Sequence, residues 1–106
     1  LVNMASKIEL AIVDQNPVVR AGLEALISKD GRFAVCGVFA SGSHLLDAMD
    51  QKPREIAIVG WTLPDMTGGD VLQRLKRDKR STRVIIYTGE RSGEVLRQSI
   101  KGGAWG

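Results

Sequence analysis

Four short apolar runs separated by amphipathic stretches set the rhythm of this chain. The first, Ile8-Glu9-Leu10-Ala11-Ile12-Val13, carries a single charge, the pattern of a strand buried on both faces. Asp14-Gln15-Asn16-Pro17 stops it. Asn16 is a good N-cap, and Pro17 suits the first helical position because its missing N–H would go unpaired there anyway. Val19, Leu23, Leu26 and Ile27 then fall at i, i+4, i+7 and i+8, one face of a helix. Asp30-Gly31 closes it.

The alternation continues down the chain. Phe33 to Phe39 reads as a second strand, and Ser41 or Ser43 caps a short helix holding Leu45, Leu46 and Met49. Ile56-Ala57-Ile58-Val59 is a third buried strand that runs into a loop with Pro64, Gly68 and Gly69. Val71, Leu72 and Leu75 mark a third helix, Val84-Ile85-Ile86-Tyr87 a fourth strand, and Ser92 to Lys101 a fourth helix. Nearly all-apolar strands alternating with helices predict an α/β fold, a doubly wound parallel sheet with helices on both faces.

With 106 residues, 43% of them hydrophobic, the chain is long enough for one core and too short for two. We set residues 1–6 aside as an expression remnant or a disordered start, and treat 7–106 as the domain. The single cysteine, Cys36, excludes an internal disulfide and any C-x-x-C site, and reads as a small buried hydrophobe. No apolar run reaches the roughly 18 residues of a membrane span, so a cytoplasmic protein with no membrane partner is the expectation. The net charge of +3 is local: residues 74–83 hold six basic side chains against one acid. That stretch could steer an acidic partner such as nucleic acid, but cations at a helix end also offset its dipole, and no aromatic is interleaved for base stacking. His44 stands alone, without companions for a metal site.

In open parallel sheets ligands gather beyond the carboxyl ends of the strands. The residues leaving strands one, three and four are Asp14 and Gln15, Gly60 and Trp61, and Thr88 and Gly89. At these exits the resemblance becomes specific. The segment from Ile12 to Leu23 resembles the opening of a two-component receiver domain of the NarL/FixJ (LuxR-type) response regulators. Ile58-Val59-Gly60-Trp61-Thr62-Leu63-Pro64-Asp65-Met66-Thr67-Gly68 is similar to its phosphoacceptor segment, Val84 to Gly89 to its switch strand, and Gly103-Ala104-Trp105-Gly106 to the start of its last strand. The resemblance implies a flavodoxin-like three-layer sandwich whose last strand and helix are missing from this chain.

It also implies a pocket in which an aspartate closing strand three accepts a phosphoryl group. Magnesium is held there by that aspartate and an acidic pair, and metal and positioned donors neutralise the transferring phosphoryl. Here the acceptor position is Gly60, and the second acid of the pair is Gln15. Only Asp14 remains of three carboxylates, although magnesium usually takes one or two. The expectation is therefore a receiver without phosphotransfer or enzymatic activity: no catalytic residue, no cofactor, at most a weak Mg²⁺ site at Asp14, and a remnant pocket of Asp14, Gln15, Thr88 and Gly89. Such a domain would act by binding a protein partner or its own copy, as part of a transcriptional regulator that meets DNA only through a domain outside this chain. Trp105, Val84 and Ile86 are the candidate interface residues, the last two because strand four would be an apolar edge. Trp61 could fill the space left by metal and phosphoryl group. Two rival readings stand beside this one. A working phosphotransfer receiver would use an unconventional acceptor, Asp65 being the nearest carboxylate, although Asp after Pro is also a common solvent-facing turn residue. A nucleic-acid module would bind through the Arg74 to Arg83 stretch.

Overall fold

The computed structural model describes residues 6–78 and 81–87. They run as β1 (Ile8–Val13), α1 (Pro17–Ser28), β2 (Phe33–Phe39), α2 (Gly42–Gln51), β3 (Ile56–Gly60), α3 (Gly68–Arg77) and β4 (Arg83–Tyr87). All four strands are parallel, in the order β2-β1-β3-β4. Residues 92–101, expected to form a fourth helix, and Thr88, Gly89 and Trp105 lie outside the described residues.

Local sequence explains where each helix begins. The Asn16 side chain accepts the N–H groups of Val18 at 2.8 Å and Val19 at 3.4 Å, and Ser41 accepts that of His44. Thr67 and Asp70 form a reciprocal capping box at the start of α3, which satisfies two donors that would otherwise be orphaned.

Period two along the strands divides the side chains between the two faces. Ala11, Val13, Ala57, Val59, Val84 and Ile86 join Leu45, Met49, Val71, Leu72 and Leu75 from α2 and α3 in one buried cluster. Leu10, Ile56, Ile58 and Ile85 face the other way, toward α1, and with Leu26 and Ile27 they line an apolar groove of about 310 Å³. Coverage is unequal. No α1 residue is buried, and Leu26, expected on the inward face, is 66% exposed. Val19, Leu23 and Ile27 are half-buried. The physical reason is geometric: α1 lies over β1 and β2, whereas the half-buried isoleucines of this face extend across β3 and β4.

One departure from regular alternation lies in β2. Leu10 pairs with Val35 but Ile12 with Val38, so β2 carries an extra residue. This bulge, which includes Gly37 at φ 148°, turns Phe39 onto the α2–α3 core while Phe33 lines the α1 groove. In an unbroken strand residues 33 and 39 would share a face. Cys36, expected to be buried, is half-buried beside the bulge, with its Sγ 3.8 Å from Glu9 Oε2.

Candidate functional site

The strand order places β1 and β3 side by side, with the crossovers from them leaving in opposite directions. The crevice outside their carboxyl ends is the topological switch point of the sheet. Val13 pairs with Val59, and Gly60 pairs with Tyr87. One step beyond Val13, Asp14 therefore completes a row running Asp14, Gly60, Tyr87 across three strands. The middle member has no side chain, and the outer two meet across it.

Asp14 is 7% exposed, the one buried polar residue among those described. Its Oδ1 accepts the Asn16 N–H at 2.7 Å, and its Oδ2 accepts the Tyr87 hydroxyl. Arg20 clasps the Asp14 carbonyl oxygen at 2.8 Å. A Cβ built on Gly60 would lie 2.6 Å from Asp14 Oδ2 and 3.5 Å from the Tyr87 oxygen. Burial pushes the Tyr87 phenol above its ordinary range, and the hydrogen bond to Asp14 and its negative charge add to the shift, because ionising the phenol would both lose the donor and set two anions together.

Gln15 is exposed beside this row. Thr88, which the sequence singled out, lies outside the described residues; among those described, the hydroxyl that reaches Asp14 is that of Tyr87. Trp61, expected to fill the pocket, instead lays its ring over Gly69 at the start of α3 and packs against the main core. Its backbone knits the site together: its N–H donates to the Tyr87 carbonyl at 2.9 Å, and its carbonyl accepts the Gly68 N–H at 2.7 Å. Gly68 is required by this approach, since a Cβ there would lie 2.7 Å from the Gly60 carbonyl oxygen.

Asp65 is exposed in the turn after β3, as expected, yet its carboxylate is engaged. Its Oδ1 and Oδ2 accept the N–H groups of Gly42 and Ser43, each at 2.9 Å, and these bonds hold its carboxyl below the usual carboxylate range. Val84 and Ile86 are 2% and 5% exposed. Their side chains lie in the core and so are not offered to a partner, because alternation in β4 turns them onto α3; among the described residues β4 is the outermost strand on its side of the sheet. Two residues that matter here, Tyr87 and the capping role of Asp65, escaped the sequence. The signal for Tyr87 was a large side chain with a polar tip at the end of a strand, opposite a glycine.

Among the described residues no group of three His, Cys, Asp or Glu is placed to share a metal ion, and no helix is long and apolar enough to cross a membrane.

Comparison with known proteins gives a consistent result. The chain is 69% identical over 103 residues, covering 97% of it and 49% of the relative, to the probable transcriptional regulatory protein SgaR of Hyphomicrobium methylovorum. It is 23% identical over 97 residues, 92% of this chain and 45% of the relative, to the nitrate/nitrite response regulator NarL of Escherichia coli K12. The chain thus spans about half the length of the curated relatives it matches. Its fold superposes with a TM-score of 0.90 on the signal receiver domain of NarL from Mycobacterium tuberculosis, at 22% identity, covering 94% of this chain and 81% of that one. A LuxR-family DNA-binding response regulator from Staphylococcus aureus gives 0.87 at 20% identity, covering 92% and 81%. Residues 10–106 match the model of the response regulator receiver domain, and with the parallel sheet and its switch-point crevice this places the chain in the response regulator receiver domain family.

Proposed function

We propose that this domain is a receiver that does not accept a phosphoryl group and works as a regulatory interaction module within a transcriptional regulator. The observation that carries the reading is the row at the switch point: glycine stands at the acceptor position, and the one neighbouring carboxylate is already satisfied by Asn16 and Tyr87. Magnesium, which the family implies, does not fit these residues. It demands hard anionic oxygens in near-octahedral array, whereas Gly60 supplies no ligand, Gln15 a neutral amide, and Asp14 a carboxylate with a donor on each oxygen.

Asp65 is a poor substitute acceptor because both its oxygens cap α2. The basic stretch is better explained as a helix end. Arg74 and Arg77 lie within 3.8 and 3.9 Å of Asp78, and with Lys76 they form the last turn of α3, where cations oppose the dipole. DNA would be met through a further domain, and the switch would be the partner's preference for one conformer over another. A partner protein or a second copy would be bound at a surface other than the side chains of Val84 and Ile86.

The test is intact mass after incubation with Mg²⁺ and a small phosphodonor, beside a receiver that keeps its acceptor aspartate. The control gains one phosphoryl group and this protein gains none. A phosphoryl adduct on this protein overturns the reading.

A further inference from the structure

We propose that the Tyr87 hydroxyl is the built-in occupant of this pocket: it takes the acceptor site on Asp14 that a cation would otherwise use, and it holds that carboxylate across Gly60 so that a side chain at position 60 is excluded as well. The inference rests on the reading of the site as one without phosphoryl transfer, and names the residue that enforces it.

Three observations converge on Tyr87. The first is register. Gly60 and Tyr87 are direct partners across the β3–β4 ladder, and neighbouring strands stand about 4.8 Å apart. A tyrosine can therefore reach past a bare glycine to the next strand. The second is saturation. A buried carboxylate needs donors on both oxygens, and Asp14 has them, one from the Asn16 backbone and one from Tyr87. A cation at Oδ2 would have to displace the phenol and leave its hydroxyl half-buried without that partner. The third is space. The 2.6 Å between a Cβ at position 60 and Asp14 Oδ2 is closer than nonbonded carbon and oxygen approach. A side chain at 60 thus requires Asp14 Oδ2, the oxygen that accepts the Tyr87 hydroxyl, to move from its place. Gly60 and Tyr87 form a matched pair, each permitting the other.

This separates two explanations for a pocket that takes no metal. If the loss of ligands were the whole cause, Gly60→Asp would restore a two-carboxylate site whether or not Tyr87 is present. If Tyr87 is the occupant, the carboxylate at position 60 becomes useful only after the hydroxyl is removed. Tyr87→Phe keeps the ring and its packing and deletes the donor alone.

The experiment is a Mn²⁺ titration of the 106-residue chain and its Gly60→Asp, Tyr87→Phe and Gly60→Asp/Tyr87→Phe variants. It is followed by paramagnetic broadening of the amide signals of Asp14, Asn16 and position 60, with dispersed spectra as the check of folding. The double variant is expected to bind Mn²⁺ about tenfold or more tightly than Gly60→Asp alone, a non-additive gain of the kind a coupled pair produces. Equal affinities in those two variants overturn the proposal, as does localised broadening of the unsubstituted protein at the same Mn²⁺ concentration as the double variant. Should the variants at position 60 not fold, Tyr87→Phe decides. Pocket broadening at lower Mn²⁺ than in the unsubstituted chain supports the occupant role, and identical broadening removes it. The phosphodonor experiment stands apart from this one: a phosphoryl adduct would defeat the functional reading whatever the Mn²⁺ series shows, and an inert protein whose Tyr87 variants behave alike would keep that reading and lose this one.

Discussion

Asp65 and Gly42 are 23 residues apart in sequence, and the Asp65 carboxylate accepts the Gly42 N–H at 2.9 Å. Its second oxygen takes the next N–H, that of Ser43, at the same distance. A carboxylate from the loop after β3 thus caps a helix it does not belong to, against the positive end of the α2 dipole. Ser41, the local cap, accepts the His44 N–H, so the two residues divide unpaired donors of the first turn between them.

Replacing Asp65 by alanine should lower the thermal midpoint by about 5 °C, the range of a lost helix cap in a small domain. The pH dependence has a definite sign. The Asp65 carboxyl is held below its ordinary value, chiefly by the Ser43 and Gly42 N–H groups. Its contribution is therefore complete above the unfolded pKa of about 3.9 and is lost as pH falls through the lower folded value. Urea unfolding of the native chain and of Asp65→Asn should show a constant gap at neutral pH that closes below about pH 4. A gap that ignores pH would assign the effect to shape rather than charge. Asp30, drawn down to about 2 by its hydrogen bonds from Arg32, titrates in the same direction, so the comparison must be made with Asp30 present in both proteins.

Glycines in this chain have opposite meanings that substitution can separate. Gly37 sits in the β2 bulge at φ 148°, and a Cβ there would fall 2.6 Å from the Phe39 ring. Gly37→Ala should cost more than about 1 kcal/mol, since both backbone and packing oppose it. Gly22 lies within α1 with nothing within 4 Å of a built Cβ. Gly22→Ala should raise stability by about 0.5–1 kcal/mol through helix propensity. Chemical denaturation of the two variants checks both signs.

Much of the fold was legible because hydrophobic period and punctuation agreed. The six residues of β1, the Asn16-Pro17 start of α1, and the buried Leu45, Leu46 and Met49 of α2 all follow from pattern. What the pattern could not show was relational. The bulge in β2 has only one mark in the sequence, the glycine among six hydrophobic residues, which hints at a bulge without showing that the register slips there. Asp14 and Gly60 were legible as site positions from the strand exits alone. Tyr87 was not, because its role depends on register: alternation marks it as the end of a strand, and only the pairing with Gly60 brings its hydroxyl to Asp14. The capping role of Asp65 was hidden for the same reason, since an exposed turn carboxylate and a cap for a distant helix look alike until α2 is placed beside it.

The unequal cover of the two sheet faces leads to the last prediction. Leu75 belongs to the buried cluster and is 2% exposed. Its removal leaves a void bounded by rigid strands on one side and α2 on the other. Leu75→Ala should therefore cost about 2–5 kcal/mol, the transfer of the lost methyl groups plus the cavity they leave. Leu26 is the same residue type on the opposite helix layer, 66% exposed at the lip of the apolar groove. Most of its surface is already in water, so Leu26→Ala should stay within about 0.5 kcal/mol, the range of surface substitutions. Urea midpoints with slopes held comparable would measure the difference. A large loss at Leu26 would mean that α1 packs as tightly on its face of the sheet as α3 does on the other, which the exposure of its inward residues argues against.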